Sequence, residues 1–261
     1  MPDEESFIMR GASCIGRKLM VAIAVAGLSL GGAGAGLAAE DDEQIALYLA
    51  DLLQAGRAVI GAHQDLINDP SGGNKGLTGE VVLEEAITRF QRDNDLDPRS
   101  VNPDSRMGRL LQAQMDAIKE VVDEQQGTIN RPGVGFKGFI PATFGRLVGE
   151  RFKEKVGDEA QIKVTAPVEL VRNRGARPDA WEKEHIEADL LDPAWPKGQV
   201  FTAVTEQSGR EAFRILVPEY YTAGCLACHG EPKGEIDITG YPMEGGKVDD
   251  LGGVISITLF R

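Results

Sequence analysis

AFRILVPEYYTAGCLACHG, residues 212–230, is the stretch from which the rest of the chain is read. Its first ten residues are rich in Phe, Ile, Leu, Val and Tyr, the texture of a β-strand. It then breaks into a small-residue turn that carries two cysteines, Cys225 and Cys228, and an adjacent His229. Three other stretches share the strand texture: IKVTAPV (162–168), VFTAVTEQ (200–207) and GVISITLF (253–260). The turn therefore lies between two predicted strands. Ser208, Gly209 and Arg210 join the second and third strands as a hairpin. VISITL alternates at period two, as expected of an antiparallel strand with one wet face.

Upstream the period changes. Ile45, Leu49, Leu52, Gly56, Val59 and His63 recur at steps of four and three, which predicts one long helix over residues 41–68 with an apolar seam. A second helix is expected over 78–93, capped by Thr78 and burying Val81, Val82, Ala86, Ile87 and Phe90. A third runs over 105–125, with Leu110, Leu111, Met115, Ile118 and Val121 inward, and a shorter one starts near Pro141. Helices followed by strands give the class α+β: long N-terminal helices packed on a small antiparallel sheet.

The chain has 261 residues and a formal charge of −13. Such acidity argues against nucleic acid or an anionic membrane as partner, since both demand positive charge. It suits a protein partner that presents a basic face. The three cysteines and three histidines exclude a disulfide scaffold, a zinc ribbon and a multi-heme wire. Arg10, Arg17 and Lys18 precede the apolar stretch LMVAIAVAGLSLGGAGAGLAA at 19–39, and acids follow. This is an export pattern, with cleavage expected near Ala38 or Ala39. Residues 1–39 are then a signal peptide, residues 40–261 a single domain, and the location the periplasm. An uncleaved membrane anchor is the competing reading.

Cys225, Leu226, Ala227, Cys228 and His229 spell C-x-x-C-H. Two thiols at this spacing add to the two vinyl groups of heme, and the adjacent imidazole becomes the proximal iron ligand. A zinc site needs four ligands, and the mature chain has no further cysteine. A redox dithiol belongs at a strand–helix junction of a βαβ unit, which the flanks do not resemble. One covalent heme c held by Cys225, Cys228 and His229 is therefore expected.

Four stretches carry a resemblance: GFIPATFGRLVGERF (138–152), RNRGARPDAWEKE (172–184), YYTAGCLACHG (220–230) and GYPMEGGKVDDLGGVISI (240–257). They resemble the motifs of a bacterial family of exported single-heme c-type domains with a PAS-like fold, commonly described by its cyanobacterial members. Similar domains form the extracytoplasmic sensor part of some histidine kinases and diguanylate cyclases. The resemblance runs from the helix before His63 to Phe260. It implies a heme packed against an antiparallel, PAS-like sheet and a role in redox or ligand sensing. With no kinase or cyclase segment after residue 261, signalling is expected to pass through a separate protein.

The sixth iron position has five candidates: His63, His185, Met107, Met115 and Met243. His63 lies in phase with the apolar seam and is the residue expected to ligate, opposite His229, giving a closed, low-spin iron. The bland alternative is an edge histidine bonded to a carboxylate such as Asp65. Arg172, Arg174, Arg177, Lys137 and Arg146 are candidate partners of heme propionates. Phe136, Phe139, Phe144, Tyr220 and Tyr221 are candidate heme-lining aromatics, though core packing is the simpler role for each. No distal acid–base constellation of a peroxidase can be assigned, so no enzymatic activity is expected. The function expected is redox or small-gas sensing. The alternative is a periplasmic cytochrome passing single electrons between protein partners.

Overall fold

In the computed structural model, β1 (Ala160–Thr165), β2 (Phe201–Gln207), β3 (Arg210–Tyr220) and β4 (Leu251–Phe260) form one antiparallel sheet in the order β1-β4-β3-β2. The structure describes residues 33–261, with side chains from residue 41 onward. The predicted signal segment, residues 1–39, lies outside the described residues apart from the helical backbone of 33–39. The two central strands are the longest, paired from Ala212↔Phe260 to Tyr220↔Leu251. The β2–β3 hairpin closes through two residues, Ser208 (φ 55°) and Gly209 (φ 77°). Two successive positive φ values match the twist of the flanking strands. Arg210 pairs with Gln207 and belongs to the strand, not to the turn as expected.

Among the described residues six α-helices precede the sheet: α1 (Ala33–Ala62), α2 (Gln64–Asn68), α3 (Gly79–Asn94), α4 (Arg106–Glu124), α5 (Gln126–Ile129) and α6 (Pro141–Val156). Thr78 and Ser105 cap α3 and α4 by accepting from the backbone N–H of Val81 and Gly108. Pro141 occupies the first turn of α6, where its missing N–H costs nothing. The predicted inward stripes are buried, except that His63 is only half-buried and that Val81 faces solvent while Val82 turns in. The expected single helix over 41–68 is broken. His63 leaves helical geometry (φ −99°, ψ 13°), and beyond it Ile67, still in phase with Val59 and Ile60, is buried. Residues 41–62 are long and apolar enough, by length and composition, to cross a membrane. Here Leu49, Leu52, Leu53, Val59 and Ile60 are fully buried within the fold.

One sheet face meets the helices. Phe213, Ile215 and Val217 of β3 and Ile255, Ile257 and Leu259 of β4 join Leu49, Val59, Phe144 and Phe152 in a continuous apolar core. The opposite face was expected to be wet, and it is covered. The connection between β1 and β2 crosses it, carrying α7 (Ala180–His185) and a turn of π-helix (Ile186–Leu190). Ile186 and Leu190 pack on Leu216 and Val254. Ser256 and Thr258, outward by the alternation, are buried beneath this cover. Arg214, also buried, donates to Asp179 at 2.7 Å and lies 4.1 Å over the Trp181 ring. The alternation thus marks a polar underside that charge pairs fill.

α1 lies against β3 and β4, and ion pairs fix it at two levels. In its third turn, the buried carboxylate of Asp42 accepts from Arg106 at 2.8 Å and from Arg261 at 2.7 Å. Arg106 also donates to the Phe260 carbonyl at 2.7 Å. Near its end Arg57 pairs with Glu219, close to where β3 finishes. The C-terminal end of α1 and the cysteine-bearing turn therefore leave the sheet at the same end.

Candidate functional site

β3 ends at Tyr220, and the next residues fold back at once. A 3-10 turn (Ala223–Cys225) leads into a single turn of helix, α8 (Leu226–His229). Cys225, Cys228 and His229 stand at i, i+3 and i+4, the spacing that puts side chains on one helical face. Both cysteines are free thiols and half-buried. Burial, reinforced by the nearby Asp237 carboxylate, pushes the Cys228 thiol up. The base of the loop is shut by Tyr221, whose N–H donates to the Asp250 carbonyl and whose carbonyl accepts from the Asp249 N–H, both at 2.9 Å.

His229 is held from one side. Its Nδ1 lies 2.9 Å from Glu244 Oε2 and 3.3 Å from the Tyr221 hydroxyl. A carboxylate only accepts, so Nδ1 carries the proton in this pairing. The imidazole stacks on the Tyr221 ring, with centroids 5.0 Å apart and planes at 22°. Among the described residues Nε2 has no hydrogen-bond partner. Two glycines make the stack possible. A Cβ at Gly246 would fall 2.6 Å from the Tyr221 ring, and one at Gly252 would fall 2.2 Å from it.

Arg172 grips the other end of Glu244. Its Nε donates to Oε1 at 2.9 Å and its Nη2 to Oε2 at 3.1 Å. The same guanidinium donates to Asp237 Oδ2 at 2.6 Å and to the Cys228 carbonyl at 2.8 Å. Burial pushes the Glu244 carboxyl up, but the Arg172 bonds and the adjacent imidazole outweigh it and hold it below its usual value. The wholly buried Asp237 is likewise raised by burial, and the Thr239 and Arg172 bonds overcome that to set it well below the usual range. Tyr221 is pushed up to about 12, first by burial and then by the Glu244 charge. Backbone bonds complete the clamp: Gly246 N–H donates to the His229 carbonyl at 2.7 Å and Gly245 N–H to the Gly230 carbonyl at 2.9 Å.

The other predicted residues are placed as follows. His63 Nε2 lies 3.1 Å from the Glu85 carboxylate on α3, not beside Asp65. No hydrogen bond or ion pair joins it to the Cys225–His229 turn among the described residues. His185 stacks on Phe201 at 4.0 Å and bonds Asp189, under the covered sheet face. Met115 is core and Met107 packs beside it, while Met243 is buried in its loop with its N–H bonded to the Glu235 carbonyl. Arg172 has its five donors taken by Asp237, Thr239, Glu244 and the Cys228 carbonyl, which leaves it unsuited to a propionate. Lys137 donates to the Asp69 and Ile129 carbonyls, and Arg146 pairs with Glu150. Arg174 and Arg177 make no ion pair among the described residues. Of the aromatics, Tyr221 touches the motif; Phe139 and Phe144 sit in the helical core, Phe136 is half-buried, and Tyr220 accepts from Gly198 N–H. Glu244 and Asp237 were not singled out by sequence. Nothing in the sequence distinguishes them among 41 acidic residues.

Two cysteines and a histidine on one helical face, with the imidazole anchored through Nδ1 and open at Nε2, fit the donor set of a C-x-x-C-H heme attachment site. A family model described as Tll0287-like matches residues 103–259. The match takes in α4 to β4, and so the whole sheet and the motif. Part of the expected resemblance, from His63 to the residue before 103, lies outside it. No curated protein and no solved structure gives a match.

Proposed function

This chain belongs to the Tll0287-like family, and on that premise we propose that it is an exported single-heme c-type protein that senses redox state or a small gas through its heme. The observation that carries this reading is the turn at 225–229. Cys225 and Cys228 would hold the heme as thioethers, and His229 would ligate iron through Nε2 while Glu244 fixes its tautomer. When bound, the heme supplies a one-electron couple and exchangeable axial positions. The protein around it orients the imidazole and closes the loop at Tyr221. It turns over no substrate of its own in this proposal.

We assign the sixth ligand to His63. Support comes from the Arg57–Glu219 pair, which brings the end of α1 to the end of the sheet from which the motif leaves. Glu85 gives the imidazole a second partner, so His63 has somewhere to go when it leaves iron. A ligand with two partners favours sensing over simple electron transfer, because exchange changes what the iron can bind. The charge of −13 favours a signalling or redox partner with a basic face. The export pattern at residues 10–39 supports a periplasmic location.

The test is direct. Protein made in a host that exports and matures c-type cytochromes should resist acid–acetone extraction of its heme and give the c-type pyridine hemochrome band. Heme that extracts freely, or a protein isolated without heme, would overturn the proposal.

A further inference from the structure

We propose that Arg172 and Glu244 form a positioning relay that sets how strongly His229 donates to iron, and hence the redox potential of the heme. The inference rests on the heme reading above and deepens it. It stands on three geometric facts. Glu244 Oε2 sits 2.9 Å from Nδ1, the ring nitrogen that would stay free if iron were held by Nε2. Arg172 holds that carboxylate by both oxygens, at 2.9 and 3.1 Å. The same guanidinium is itself anchored, to Asp237 at 2.6 Å and to the carbonyl of Cys228, next to His229, at 2.8 Å.

The chemistry follows from the hydrogen bond. An Nδ1–H shared with a carboxylate pushes electron density into the imidazole, and Nε2 becomes a stronger donor. Stronger donation favours the ferric over the ferrous state and lowers the potential. A neutral acceptor in the same place polarises the ring less. Glu244 can serve only while its charge stays aimed at His229, and it stands in a largely enclosed site where a lone carboxylate would be penalised. Arg172 meets both needs, since its fork fixes the carboxylate in position and balances its charge. Asp237 then balances the arginine. Arg172 lies 72 residues from Glu244 in sequence, in the connection that covers the far face of the sheet. The relay therefore ties the proximal ligand to the sheet cover, not only to its own loop.

The experiment is spectroelectrochemical titration of the heme-loaded protein and its variants. Glu244→Gln keeps the shape and removes the charge. It should raise the midpoint potential, with the ferric-to-ferrous equilibrium shifting by about tenfold or more, or about 59 mV for one electron. Arg172→Gln should shift it the same way by less. The double variant should move no further than Glu244→Gln alone, because both act through one bond. Tyr221→Phe, which leaves the carboxylate in place, should move it least. Covalent heme with an unchanged potential in Glu244→Gln, or fully additive shifts, would overturn the relay while leaving the heme reading intact. Absence of covalent heme from the wild-type protein would overturn both. Should Glu244→Gln not accumulate, Arg172→Lys keeps the charge and loses the fork. It should shift the potential the same way, and no shift would overturn the relay.

Discussion

The bend in α1 and the loop after β3 each hold a histidine against a glutamate, and the two pairs are built differently. The imidazoles are equally accessible, 27% exposed at His63 and 30% at His229. Their carboxylates are not: Glu85 is 40% exposed and Glu244 is 15%. Glu244 is forked by Arg172, and His229 is stacked on Tyr221 and tied down by the backbone of Gly245 and Gly246. Glu85 has no second polar partner among the described residues. An exposed histidine–carboxylate pair contributes little by itself. The comparison teaches that the surroundings of His229 fix its imidazole from several sides, whereas His63 is held by a single exposed carboxylate.

The largest test removes the loose member. His63→Ala should convert a low-spin ferric heme to a high-spin or water-ligated one that binds CO quickly once reduced, read by optical spectra with and without CO. A variant that keeps the wild-type low-spin spectrum would give the sixth position to another residue. Glu85→Gln should act oppositely, slowing CO binding to the reduced protein because the displaced imidazole loses its alternative partner.

The next contrast is steric. Gly252→Ala drives a methyl into the Tyr221 ring and should cost about 3 kcal/mol, the upper range for overpacking. Gly61, beside the bend, has room: its nearest neighbour would be 3.6 Å from the new Cβ, a normal contact. Gly61→Ala should stabilise by about 0.5–1 kcal/mol through helix propensity. Thermal melts of both variants check this, and equal effects would erase the distinction between braced and loose sites.

The smallest effect concerns the α1–α3 interface that holds His63 and Glu85. Burial raises the Asp51 carboxyl there, against a bond from Asn94, and the nearby Asp93 adds to the rise. The folded state therefore binds the Asp51 proton more tightly than the unfolded chain does. Its favourable contribution is full below the unfolded value of 3.8 and fades as pH rises through the higher folded value. Asp51→Asn should then melt about 2 °C higher than wild type at neutral pH, with the gap closing under acid. A gap that persists unchanged at low pH would assign the effect to packing.

Much of this was legible residue by residue. Thr78, Ser105 and Pro141 announce helix starts because capping chemistry is local. The turn at 208–209 and the alternation of VISITL place the hairpin and the central strand. C-x-x-C-H names its own donors. What could not be read depends on distance in the chain. A period-two pattern says that Ser256 and Thr258 share a face, but not that α7 will cross it. A helical seam that runs in phase through Val59, Ile60 and Ile67 carries no sign that the helix will break at His63. Glu244 acquires its position only when Arg172, from another part of the chain, closes over it.

The clamp at Asp42 has a topological consequence. Because one carboxylate joins the third turn of α1 to the guanidinium of Arg261, residues 42 and 261 meet across the molecule. A short linker could join residue 261 back to residue 41, replacing residues 33–40 of α1 and leaving the strand and the rest of the helix in place. New ends could then be opened at the exposed Pro196–Lys197–Gly198 turn, far from Asp42 in sequence. Such a circular permutant should keep the sheet order β1-β4-β3-β2 while changing which element is made first, separating the order of synthesis from the order of assembly.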